Sequence, residues 1–237
     1  MNVKEQHYDI KKKLNKVDSQ QFRNLLIPEL DIAINEAVEI FIKLVAFPRF
    51  RTVLGFEKSQ RSIDDIRSLV ESEDNPDNLL AVTANLVALP LNYMFYISSY
   101  ALVSKGSCIN VKVSVTIPQH DDTSKFDSYY KSSFEWRTLN AKFDSQGIRF
   151  ENDGSFEVNK LGLSYIRQPL YIHNAEDFSV TGYTSPSGTQ YEGVQSCELP
   201  AHTHREINDI AVMLLSGELK NPGYEYTVAK LKLNQLN

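Results

Sequence analysis

The chain is short of the residues that announce a function class. It has two cysteines, Cys108 and Cys197, among 237 residues. They form no CxxC pair, and the expected state is two reduced thiols in a protein made in a cytoplasm, with a single long-range disulfide as the alternative. Glycine (10) and proline (9) are too scarce for a low-complexity or collagen-like chain. Positive charge is not in excess: Lys and Arg total 25 against 30 Asp and Glu, giving a net charge of −5 and a pI near 5.6. Nothing global therefore favours nucleic acid or an anionic membrane. No apolar run approaches the roughly eighteen residues of a membrane-spanning helix. The closest, Leu79 to Val103, is interrupted by Thr83, Asn85, Pro90, Asn92, Ser98 and Ser99. The N-terminal MNVKEQHYDIKKKLNK has no apolar stretch and does not read as a signal peptide. The phosphate loops GxGxxG and GxxxxGK[ST], the zinc motif HExxH and the nucleophile elbow GxSxG are all absent.

What is present is apolar and aromatic surface. Hydrophobic residues make up 42% of the chain, with 12 tyrosines and 12 phenylalanines beside one tryptophan, a composition that suits packed sheets and interfaces. The chain is long enough to bury a sizeable core. Its best-defined element lies within Phe22–Phe50. Pro28 fits a helix's first turn, and Phe47, preceding Pro48, is a natural stop. Leu30, Ile34, Ala37, Val38, Phe41 and Val45 recur at three- and four-residue steps as the core face. Ile32, Ile40, Ile42 and Leu44 add apolar surface outside that face, so a second contact is expected there. Asn35, Glu36, Glu39 and Lys43 make the polar stripe.

The remaining elements follow from pattern and punctuation. A short helix is expected near Tyr8–Leu14, with Asp18 and Ser19 placed to cap a turn. EKSQRSIDDIRSLVESED reads as a second helix, ended by Asn75-Pro76-Asp77. LLAVTANLVAL is too densely apolar to separate strand from buried helix, whereas the aromatic-rich YMFYISSY favours strand. INVKVSVTI alternates for nine residues, a half-buried strand. SSFEWRTLNAKF, GIRFEND and SFEVNKLGLSYIRQPLYI follow as strands, with turns at Gln146-Gly147 and Asp153-Gly154. Residues 179–196, rich in Gly, Ser and Thr, read as an exposed loop carrying Tyr183 and Tyr191. Thr203 and Glu206 form a capping box for a helix whose core face is Ile207, Ile210, Ala211 and Leu214, with Gly217 at its end. YEYTVAKLKLNQLN reads as a closing helix. The expected fold is α+β, with an N-terminal helical region, a central antiparallel β-sheet or small sandwich, and C-terminal helices. Its expected divisions are 1–105, mainly helical; 106–200, antiparallel β; and 201–237, helical.

No residue set specifies catalysis. His202 and His204 beside Glu206 use zinc vocabulary. Capping accounts for Thr203 and Glu206, however, and histidines two residues apart at a helix start point in different directions. His7, His120 and His173 stand alone in sequence, and His120-Asp121-Asp122 reads as a solvated loop. No catalytic, metal or cofactor residue is assigned, and the chain reads as a non-enzyme. The residues assigned to an interface are Ile32, Ile40, Leu44, Phe47, Arg49, Phe50, Arg51, Tyr183, Tyr191, His202 and His204.

Two stretches carry a resemblance. LLIPELDIAINEAVEIFIKLVAFPR with the following GFEKSQRSIDDIR, and LPAHTHREINDIAV, together about a quarter of the chain, resemble a family of virion structural proteins from crAss-like phages, tailed phages infecting Bacteroidetes. The resemblance implies a connector subunit (a neck or portal adaptor) at the head–tail junction of the virion, made in the host bacterial cytoplasm. It further implies a homo-oligomeric ring, commonly a dodecamer, whose partners are the portal protein and neighbouring neck and tail proteins. DNA would pass through the lumen non-specifically, without cofactor or membrane. A partner- or ligand-binding β-module with a helical oligomerisation region, or another virion or tail structural protein, is the alternative.

Overall fold

The computed structural model describes residues 1–17, 25–46, 64–72, 79–117, 131–185 and 188–218. They form two compact units. One comprises residues 1–68 with 169–237, and the other residues 69–168. Chain order thus differs from the expected three consecutive segments, because the first unit is assembled from both ends of the chain. The fold class is α+β, as the hydrophobic patterning implied.

Among the described residues, the first unit is built around three helices, α1 (Val3–Val17), α2 (Ile27–Ala46) and α3 (His204–Glu218). At the start of α2 the Glu29 carboxylate accepts from the Leu26 N–H at 2.9 Å. Pro28, which has no N–H to lose, occupies the first turn. The expected core face is buried at Leu30, Ile34, Ala37, Val38, Phe41 and Val45. Ile42 is also fully buried, a correction to its placement outside the core. Helix α2 packs against α3 and against a short strand, β9 (His173–Asn174), so its buried arc is wider than one stripe. Helix α1 is longer than the expected Tyr8–Leu14 turn and buries Val3, Ile10 and Leu14. Helix α3 runs through Gly217, the expected break. Asp18, Ser19 and the expected helix over YEYTVAKLKLNQLN lie outside the described residues.

The second unit is an eight-stranded sheet in the order β1-β8-β4-β5-β6-β7-β3, with β2 also on β8. Its strands are β1 (Val70–Glu71), β2 (Leu79–Ala81), β3 (Leu86–Val87), β4 (Tyr93–Lys105), β5 (Cys108–Thr116), β6 (Thr138–Asp144), β7 (Gly147–Glu151) and β8 (Glu157–Arg167). Strands β2, β3 and β4 thus occupy most of residues 79–105, in keeping with the strand reading of YMFYISSY. The boundary expected at 105 falls inside the β4–β5 hairpin. All these pairings are antiparallel except β5 with β6, which is parallel. The sheet is mixed because β6 lies on the side of β5 opposite β4 and runs parallel to β5.

A two-residue turn at Ala84 (φ 51°) and Asn85 (φ 59°) joins β2 to β3, with reciprocal Thr83–Leu86 backbone hydrogen bonds of 2.9 Å. Positive φ at both central residues is the hairpin geometry that matches strand twist. Since β2 pairs with β8 and β3 with β7, this hairpin links the two ends of the sheet, which curls around one core. That core contains Val103, Val113, Leu139, Ile148, Leu161 and Leu163. The second expected helix is helical only over 64–69 within the described residues. Val70, inside that expected helix, instead pairs with Ile166, so ladder hydrogen bonds override helix propensity there.

Candidate functional site

A buried polar cluster gathers around Asp31 on α2, a residue the patterning did not single out. Its carboxylate is fully buried. Oδ1 lies 2.8 Å from His7 Nε2 on α1. Oδ2 accepts from the Asn174 backbone N–H (3.1 Å) on β9 and from the Tyr183 hydroxyl (2.7 Å) on β10, Tyr183–Thr184. A buried carboxylate persists only where donors replace its hydration, and three elements supply them here. One turn along α2, Asn35 pairs with Ile172 as a strand would: its Oδ1 accepts from the Ile172 N–H (2.9 Å) and its Nδ2 donates to the Ile172 carbonyl (2.7 Å). The exposed polar stripe expected of Asn35 is thus partly an internal docking strip.

The loop expected at 179–196 is tied to this cluster. Strand β10 pairs with β11 (Gln190–Tyr191), and β12 (Val194–Gln195) pairs with β9. Tyr191 stacks on Tyr171 with centroids 4.5 Å apart, and His173 sits 4.9 Å from the same ring. Tyr183 meets Phe178 edge-on at 5.8 Å. Burial, and then the Asp31 carboxylate, push the Tyr183 hydroxyl far above its ordinary pKa. Burial and the neighbouring Tyr191 and Asp31 also raise Tyr171. Tyr183 is a buried anchor, and Tyr191 is partly buried in the aromatic stack.

His202 and His204 part company at the start of α3. His202 is half-exposed, with Nε2 2.7 Å from Oδ1 of the buried Asp65. His204 is buried and places Nε2 2.9 Å from the Leu199 carbonyl. Thr203 directs its hydroxyl to the Pro200 carbonyl at 2.9 Å. Among the described residues, no three of His, Cys, Asp and Glu converge as a metal-ligating group. Beside His202 runs an open groove lined by Asp9, Lys13, Arg205 and Asp209. Lys13 bridges Asp9 (2.7 Å) and Asp209 (2.9 Å) within it. Burial opposes both charges there, but their mutual hydrogen bonds win: Asp9 is held below the usual carboxylate range and Lys13 above the usual amine range.

Of the other interface residues, Ile32 is 37% exposed, and Ile40 and Leu44 are partly exposed. With Glu36 they step by four along α2, forming one row. Phe47, Arg49, Phe50 and Arg51 lie outside the described residues. Asp31, Asn35 and Asn174 went unread because their partners are remote in sequence. Proline-framed α2 located the helix but carried no signal that one of its carboxylates is internal. No helix among the described residues is long and apolar enough to cross a membrane. Both cysteines are free thiols, Cys108 exposed and Cys197 partly buried. A scan against protein-family models gives no match, and no curated protein matches the sequence.

Proposed function

We propose that the chain is a structural subunit of a tailed-phage virion, forming an oligomeric connector ring between portal and tail. The supporting observation is the Ile32–Glu36–Ile40–Leu44 row on α2. The opposite arc of this helix is already filled by its own unit, yet three large apolar side chains remain on the outer row. Isolated exposed apolar residues are ordinary on a protein surface. A row of them along one helix is the form of a seam. Ring contacts are head-to-tail, so each copy offers two different complementary faces, and the row supplies one of them. The phage assignment comes from the sequence resemblance, and the portal, the neighbouring neck proteins and the passage of DNA come with it.

Negative-stain images of the purified chain are expected to show rings, with a mass many times 27.0 kDa. A monomer at every concentration, with or without portal protein, refutes the reading. Ile40→Asp separates assembly from folding. At a partly exposed position the substitution costs the fold no more than about 1 kcal/mol, whereas an unpaired carboxylate inside a subunit seam costs about 3 kcal/mol or more. Intact Ile40→Asp rings place the seam elsewhere.

A further inference from the structure

Cations of the sheet unit differ in whether a carboxylate faces them. Lys142, Arg149 and Arg167 each face a carboxylate: Glu151 at 3.3 Å, Asp144 at 2.8 Å and Glu71 at 3.4 Å. Lys112 and Lys160 have no carboxylate partner among the described residues, and both are exposed. They share a row across the three central strands, because Leu102 on β4 is in register with Lys112 on β5 and with Lys160 on β8. Ala101, Val113 and Leu161 point into the core, which puts Lys112, Leu102 and Lys160 on the outer face.

The row on one side is Ser114, Tyr100 and Gly162. On the other side the Asn159 amide reaches Ser104 Oγ and Asn110 Oδ1, at 2.5 and 3.3 Å. These three rows hold cations, hydroxyls and amides, and one carboxylate, that of Glu157, which is in register with Ser104 at the end of the patch. Tyr100 lies flat over Gly162, where an added Cβ would come within 2.5 Å of the ring, and Lys112 Nζ sits 3.7 Å from the ring centroid. The Lys112 charge is therefore held in place by its neighbours.

We propose that this outer face binds the phosphodiester backbone of a nucleic acid without reading its sequence. Two interstrand steps separate the lysine backbones by about 10 Å. That spacing suits a chain of regularly repeated charges better than one compact anion. Lysine ammoniums on flexible stems contact phosphate as point charges, and phosphate contacts position without specifying. Base stacking has no part, since Gly162 and Lys112 cover Tyr100. Two contacts per copy make a weak, salt-labile association, and the inference does not depend on ring assembly.

The test is fluorescence anisotropy of a labelled duplex with the full chain, titrated at several salt concentrations. Two phosphate contacts predict about a 60-fold loss of affinity per tenfold rise in salt, and each lysine removed lowers that factor about eightfold. Lys160→Gln, at a side chain with no polar contact in the described structure, is expected to show the single-lysine change with the fold intact. The Lys112→Gln/Lys160→Gln pair should show the double change, and Lys142→Gln, at a paired cation, no change. Absence of binding at low salt, an unaltered salt dependence in the double variant, or a Lys142→Gln effect equal to that of Lys160→Gln overturns the proposal. Displacement of the duplex by polyglutamate as readily as by unlabelled DNA overturns the phosphate assignment.

Discussion

Tyr183→Phe tests whether the buried carboxylate of α2 organises the first unit. The substitution removes one oxygen and leaves the ring's contacts with Phe178 and Tyr191 in place. What is lost is a 2.7 Å hydrogen bond to a fully buried carboxylate. A hydrogen bond to a charged acceptor contributes about 1.5–3 kcal/mol. Asp31 retains His7 and the Asn174 N–H, so the loss should fall inside that range and below the cost of stripping the carboxylate bare. In a chain of this length, that corresponds to a drop of about 4–10 °C in Tm. Urea denaturation followed by circular dichroism measures it directly, with an unchanged m-value showing that the denatured state is unaffected.

The alkaline limb gives a second reading of the same bond. Burial and Asp31 raise the folded-state pKa of Tyr183, while the unfolded phenol titrates near about 10. Above that pH the unfolded chain sheds a proton that the folded chain keeps. Stability contributed by the protonated phenol is therefore complete below about pH 10 and is lost above it, at about 1.4 kcal/mol per pH unit. Tyr171, Tyr93 and Tyr165 are raised as well, all chiefly by burial, so the informative quantity is the difference between wild type and Tyr183→Phe. The variant should lose less stability between pH 9 and 11. A cost under about 0.5 kcal/mol at pH 7, together with parallel alkaline limbs, would refute the hub.

Gly147→Ala should prevent the sheet unit from closing. Gly147 has φ +140°, and an added Cβ would lie 1.9 Å from the Val87 carbonyl oxygen, a backbone atom that cannot rotate aside. A loss above about 3 kcal/mol is expected, read as insoluble expression or as a missing unfolding transition. The thiols should react unequally. Burial pushes Cys197 up to about 11, whereas Cys108 is exposed on the β4–β5 hairpin. Because the thiolate is the nucleophile, iodoacetamide at pH 8 should give one adduct on the folded chain. Peptide mass spectrometry should place it on Cys108, and equal labelling would mean that Cys197 is not shielded.

The parts of the fold legible in the sequence are those set by local rules. Prolines frame α2, a period near 3.6 picks out Leu30 through Val45, and a period of two picks out β5, whose Val113 and Val115 are buried as alternation requires. Illegible were the parts set by long-range polar contacts. The partners of Asp31 lie 24, 143 and 152 residues away, and no window around a helical Asp distinguishes an internal carboxylate from a solvated one. The segment 179–196 has the composition of a loose loop, and its ordering depends on Tyr183 and Tyr191 finding α2 and Tyr171. Helix α2 consequently departs from simple amphipathic logic at a few positions. Asp31 and Asn35 turn inward, where other elements complete their hydrogen bonds. Ile32, Ile40 and Leu44 occupy the outer row, where all three stay at least partly exposed. Two polar groups turned inward and three hydrocarbon side chains on the outer row are a costly departure for a helix that serves only its own unit. It becomes economical if the inner polar groups fix where α2 sits and the outer row meets a second copy. The proposed seam therefore rests on where Ile32, Ile40 and Leu44 sit around the helix, outside the arc that its own unit fills.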